Sequence, residues 1–166
     1  MEPEFSSLIS KIDKQVSVFA RKARTKKAVA SGPDDITLSD FLSDTMLIIF
    51  MIREGVPYNF FNLIQNIAPF SENEWAEFLD MSTKSLQRYK QTLKTFRPIH
   101  SEKIIQMAEV TNMGLDVFGT MEKFKLWLNT SSFALGKMKP LDLLKDSYGK
   151  ELVLGELTRI NYGIFA

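Results

Sequence analysis

Apolar residues recur at three- and four-residue steps through most of the chain, the spacing that lines one face of an α-helix. Near the start these are Phe5, Leu8, Ile9, Ile12, Val16 and Phe19, and the polar positions between them predict an amphipathic helix. The stretch from Ala30 through Gly32 and Pro33 to Asp35 breaks that pattern and reads as a linker. Thr37 and Asp40 have capping-box spacing ahead of an apolar run that the pattern carries as one helix to about Arg53. Gly55 and Pro57 end it, and a short helix is expected over 58–68. Ser71 and Glu74 form a second capping box, opening a helix through Leu79. The turn Asp80-Met81-Ser82 leads into a helix from Thr83 to about Thr92, and Pro98 closes the irregular stretch that follows. A long helix over 101–118 carries Ile104, Ile105, Ala108, Leu115 and Phe118 on one side and stops at Gly119. Shorter helices are expected over 121–128, 141–145 and 149–160. Neither strand alternation nor an internal repeat is found, so the fold class is all-α.

At 166 residues, with 45% hydrophobic and 25% charged side chains, the chain has ordinary globular composition. Its longest apolar run, Met46 to Ile52, falls far short of the roughly 18 residues a membrane span needs. The N-terminus lacks the basic-then-apolar order of a secretory signal, and there is no cysteine, so a cytoplasmic protein is expected, with no membrane partner. One histidine, His100, and no cysteine leave no zinc set and no Cys/His nucleophile pair. The eight glycines are scattered, with no phosphate-cradling loop, and Asp34-Asp35 is explained by turn formation. The eight methionines, Met46, Met51, Met81, Met107 and Met113 among them, read as core fillers. A binding protein is expected rather than an enzyme, with no metal and no cofactor.

The formal net charge of +1 hides an uneven distribution. Residues 1–30 hold seven Lys/Arg against three acids and residues 83–106 hold six against one, whereas everything else has eight basic and sixteen acidic residues. Clustered cations are what phosphate binding requires. The second cluster coincides with a segment that fits a helix-turn-helix, the unit that places its second helix in the DNA major groove. Small Ala76 sits where the two helices would approach, and Phe78, Leu79, Met81 and Leu86 would fill the space between them. Asp80 occupies the turn position usually taken by glycine, a departure; Asp tolerates a left-handed backbone better than most residues. Leu86 and Tyr89 would face inward. The expected DNA-binding residues are Ser82, Thr83, Lys84, Gln87, Arg88, Lys90 and Lys94, with Arg97 extending the charge. Gln and Arg read base edges in a bidentate way, while Lys, Ser and Thr serve phosphates. The same pattern also suits a plain helical hairpin with a solvated polar face.

The C-terminal stretch is unusual in ending on Gly163-Ile164-Phe165-Ala166, since chain ends are more often polar. An apolar end docks either on its own helices or on a partner. Trp127 and Phe133 are large enough to anchor a small core there, with Leu135 and Leu144, and Pro140 is placed to start a helix.

In this region the chain resembles the antitoxins of the Xre/MbcA/ParS type, which pair with RES-domain toxins. The resemblance is carried by Ala108-Glu109-Val110, the segment Asp116 to Gly119, Trp127 to Thr130, Ala134-Leu135-Gly136, the segment Pro140 to Leu144, and Ile160 to Ala166, in that order. It reaches back through Thr83 to Arg88 and the segment Arg53 to Pro57, so it covers roughly residues 38–166. The N-terminal segment lies outside it.

Residues 1–36 read by themselves as a basic amphipathic segment and linker. The resemblance implies an Xre-like helix-turn-helix core for DNA binding and dimerisation over 37–119, and a small C-terminal helical toxin-binding domain over 120–166. It implies a homodimer that binds operator DNA, autoregulates its operon and blocks the NAD pocket of a RES-domain toxin. The blocking role falls to the helix over 149–160 and to Arg159, Asn161, Tyr162, Gly163, Ile164, Phe165 and Ala166. Lys84, Arg88 and Lys90 are fewer cations than the family's recognition helix often carries, a departure that bears on operator affinity. Two alternatives stay open: a helix-turn-helix regulator whose C-terminal domain only dimerises, and a pure inhibitor that has lost DNA binding.

Overall fold

The computed structural model describes residues 3–164, so Phe165 and Ala166 lie outside the described residues. Among these residues the secondary structure is helical, with two isolated bridges, Pro57 to Thr95 and Ser132 to Met138. Ten α-helices follow in order: α1 Pro3–Thr25, α2 Leu38–Ser43, α3 Thr45–Glu54, α4 Tyr58–Ile67, α5 Glu72–Phe78, α6 Thr83–Thr92, α7 Pro98–Phe118, α8 Met121–Leu128, α9 Pro140–Leu143 and α10 Ser147–Asn161. A 3₁₀ turn, Phe133–Leu135, lies between α8 and α9. The all-α expectation holds.

Several boundaries differ from the sequence pattern. The run over 37–53 is two helices, because the Asp44 carboxylate accepts the Met46 and Leu47 N–H groups and starts α3 where α2 ends. An Asp at that point competes with the helical backbone for its own amides, which favours a cap over a continuous helix. The α7 helix begins three residues early, at Pro98, whose fixed φ and missing N–H suit a first turn. The last helix starts at Ser147, two residues before the expected 149, and runs past Ile160 through Asn161. The α9 helix is Pro140–Leu143 where 141–145 was expected. Both capping boxes form: Thr37 with Asp40, and Ser71 with Glu74.

The chain forms two compact units. Among the described residues, the first holds 3–67 and 84–105, the second 68–83 and 106–164. In the first, α1 packs on α2, α3 and α4 through Ile12, Val16, Ala20 and Ala23, all fully buried. The N-terminal segment is therefore part of this core and not a loose arm. Two polar contacts tie it down: the Ser17 hydroxyl accepts the Ile36 N–H at 2.9 Å, and the Asp13 carboxylate accepts the Leu38 N–H at 2.8 Å. Phe41, Phe60, Phe61 and Ile64 lie beneath, with Phe19 edge-on to Phe41 at 6.3 Å. Lys22 and Lys26 both reach Glu54, at 3.2 and 3.0 Å. Lys26 first and Lys22 second hold that carboxyl below its ordinary range.

The second unit is built on Trp75, Phe70 and Phe78, on the later part of α7, and on α8 to α10. Phe124 and Leu128 of α8 are fully buried, and Trp127 lies tilted against Phe118 at 5.5 Å and stacks on Phe124 at 6.2 Å. Leu135 and Leu144 are buried as expected, but Phe133 is not: it is 86% exposed and anchors no core. The 3₁₀ turn buries Leu135 two residues on, and that residue takes the core position. Met46 is exposed as well, so not every methionine fills the interior.

Candidate functional site

The last helix is the most informative element. Asp146 caps α10 by accepting the Gly149 N–H at 2.8 Å. Gly149 also lets the helix approach α9, since a Cβ there would lie 1.9 Å from the Leu143 carbonyl oxygen. Val153 and Leu157 are fully buried, four and eight residues along the same face. Lys150, nearly buried, pairs with Glu109 at 3.4 Å and Glu151 at 3.0 Å, and Thr158 lies 3.9 Å from the Met113 sulfur. This face fixes the helix to its unit.

The opposite face is bare. Tyr148, Leu152, Gly155 and Tyr162 recur at steps of three, four and seven and so share one side of the helix. Tyr148 is 89% exposed, Leu152 57% and Tyr162 75%, and a Cβ added at Gly155 would meet nothing. An ordinary surface helix places polar groups there. Arg159, on the same side, is half-buried and clasped by Glu156 through Nε at 2.8 Å and a second nitrogen at 3.1 Å. That bidentate hydrogen bonding, rather than Coulomb attraction alone, raises the Arg159 pKa further and fixes the orientation of the guanidinium.

The helix closes in a Schellman motif. Ile164 N–H donates to the Arg159 carbonyl at 3.0 Å, Gly163 N–H donates to Ile160 at 2.9 Å, and Gly163 takes φ +68°. Asn161 is thus the last helical residue and Tyr162 the cap, where the sequence suggested a tail beginning at Asn161. The described part of that tail, through Ile164, is exposed. Of the sequence-expected residues here, Arg159, Asn161, Tyr162, Gly163 and Ile164 are contiguous on the structure, while Phe165 and Ala166 fall outside the described residues.

Sequence reasoning took the helix over 149–160 as a whole and Phe133 as a core anchor, and did not single out the exposed Tyr148, Leu152 and Phe133. The α10 helix carries apolar residues on two faces, which weakens its periodicity, so the pattern alone does not tell its outward side chains from its inward ones. Among the described residues, seven of the eleven exposed large hydrophobic side chains lie between Leu126 and Ile164. That is less than a quarter of the chain, so the concentration is regional and not the scatter normal for any surface.

The basic segment is arranged as follows. Leu79 caps α5, and Asp80 takes the left-handed conformation (φ +50°) in the turn before α6. Ala76, Phe78, Leu79 and Leu86 are buried and Met81 half-buried. Tyr89 stacks on Phe96 at 4.3 Å with the rings 4° from parallel. That contact leaves Lys84, Gln87, Arg88, Lys90 and Lys94 exposed, with Ser82 also exposed and Thr83 half-buried. No acidic residue occurs between Thr83 and His100. The α5 and α6 helices belong to different compact units, the division falling at the start of α6. Among the described residues no cluster of His, Cys, Asp and Glu suits a metal, and no helix is long and apolar enough to cross a membrane.

A helical unit that buries one face of its last helix and leaves the other apolar and bare has the form of a protein-binding module. Residues 113–163, which contain that helix, match the antitoxin Xre/MbcA/ParS C-terminal toxin-binding domain. The chain therefore carries a toxin-binding domain of the Xre/MbcA/ParS antitoxin type, a domain that implies a toxin as partner. None of the curated proteins compared matches the chain significantly.

Proposed function

We propose that this chain is an antitoxin of the Xre/MbcA/ParS type and that it neutralises a RES-domain toxin, one that consumes NAD or transfers ADP-ribose from it, by occluding the active site. The occluding surface is the outer face of α10, Tyr148, Leu152 and Gly155, continued by Arg159 and residues 161–166. The observation that carries the reading is this apolar face, lying bare inside a domain matched as toxin-binding. Burying a face of this kind against a partner is favourable at about 25 cal/mol per Å². The antitoxin has no catalytic role in this reading; it works by excluding substrate.

In the same proposal a homodimer binds operator DNA through α6 and represses its own operon. Support comes from the exposed Lys84, Gln87, Arg88 and Lys90 on a helix without acidic residues, with the exposed Lys94 just beyond its end. The proposed division of labour keeps residues 37–119 for DNA and dimerisation and residues 120–166 for the toxin, in a cytoplasmic protein.

The test is removal of residues 162–166. Tyr162 and Ile164 are exposed, so the truncated chain should keep its melting temperature yet fail to rescue cells expressing the toxin. Rescue by the truncated chain would remove the tail from the occluding surface.

A further inference from the structure

The loop between α8 and α9 displays Phe133 outward, and nothing in the fold uses that ring. Its backbone is tightly held. Ser132 N–H donates to the Met138 carbonyl at 3.0 Å, and the Lys137 and Leu135 N–H groups both donate to Ser132, at 2.8 and 3.2 Å. Gly136 N–H donates to Phe133 at 3.1 Å. Two successive residues, Gly136 (φ +68°) and Lys137 (φ +65°), are left-handed. For glycine that is free, but for lysine it is strain, which persists only where the surroundings impose it and which concentrates at binding and catalytic sites. Leu135 is buried beneath and the 3₁₀ turn packs on α10. The loop is therefore a rigid mount, pinned from below, with Phe133 86% and Met138 47% exposed on it. Lys137 and Lys139, exposed in the same loop, flank the two apolar side chains.

From this geometry we propose that Phe133 is a second anchor for the toxin, entering an apolar pocket rimmed by carboxylates. The proposal rests on the toxin-binding reading and extends it from α10 to a separate element. The occupant is the toxin because the loop lies inside the matched toxin-binding domain and packs directly on the helix that carries the occluding face. Pre-organisation is the physical advantage. A large ring already held in place gives up little freedom on binding, so most of its buried area appears as affinity. The lysines beside it set the charge of the complementary surface and steer encounter.

The experiment is calorimetric titration of the full-length chain with the RES-domain toxin expressed from the same operon, comparing wild type, Phe133→Ala and the chain truncated after Asn161. Phe133→Ala should weaken binding by about 30-fold, the scale of a buried aromatic anchor, with an unchanged melting temperature. The double variant Lys137→Glu, Lys139→Glu should slow association by about tenfold. Affinity within twofold of wild type for Phe133→Ala, while truncation weakens binding, would overturn the second anchor and leave the occlusion reading standing. A change of oligomeric state in Phe133→Ala with toxin affinity intact would overturn it in favour of a contact between copies. Absence of binding by the wild-type chain would overturn both readings.

Discussion

Side chains that look alike in sequence serve opposite ends here, and a single position can decide which. Val153 and Leu152 are neighbours on α10, yet one is fully buried and the other 57% exposed. Phe133 and Leu135 divide the same way across one 3₁₀ turn. Sequence alone found Leu135 and Leu144 but assigned Phe133 to the core, because apolar character does not report direction when an element is only three residues long. The left-handed Asp80 was legible, since few residue types accept that conformation at a tight turn. Gly149 offers a direct test of the packing. Replacing a helical glycine by alanine ordinarily gains about 0.5–1 kcal/mol. Here the new methyl would fall 1.9 Å from the Leu143 carbonyl oxygen. The clash should win, and Gly149→Ala should lose about 1–3 kcal/mol in a denaturant titration. A stabilised variant would mean that α9 and α10 are not packed as described.

At the level of elements, the pattern was most reliable where apolar spacing and caps agreed. It reproduced the bounds of α6 and α8 and both capping boxes. It failed where one residue serves two helices, as Asp44 does, and where a helix end depends on a backbone motif such as the Schellman closure at Gly163. It also left the place of α1 open, because an apolar stripe names no partner. Ile12 and Val16 are fully buried on α2 to α4, and their burial alone is worth about 3–6 kcal/mol. Since whole domains have about 5–15 kcal/mol of stability, deleting residues 1–36 should unfold the first unit, seen as lost cooperative melting. A cooperative transition in the deleted chain would show α1 to be dispensable. The α6 helix carries its own prediction under the proposed function. Arg88→Ala should weaken operator binding by about 1–3 kcal/mol if Arg88 reads a base, and an unchanged gel shift would take Arg88 off the reading face.

Across the whole molecule, charge and exposed apolar surface are segregated along the chain. Cations crowd residues 1–30 and 83–106, while exposed large hydrophobics crowd the region from Leu126 to Ile164. Under the proposed function the cationic segments serve DNA, and the match over residues 113–163 points to a toxin as the partner of the apolar region. The order of motifs toward the C-terminus made that partner legible in the sequence. The bare face of α10 was not, because telling an outward leucine from an inward one requires the packing of α9 and the 3₁₀ turn. The most direct test of the central claim is calorimetric titration of the full chain and its Leu152→Asp variant with the RES-domain toxin. The account predicts tight binding by the wild-type chain and loss of at least about 100-fold in affinity for Leu152→Asp, with melting unchanged because the side chain is solvent-facing. Equal affinity of the two proteins for the toxin would contradict it.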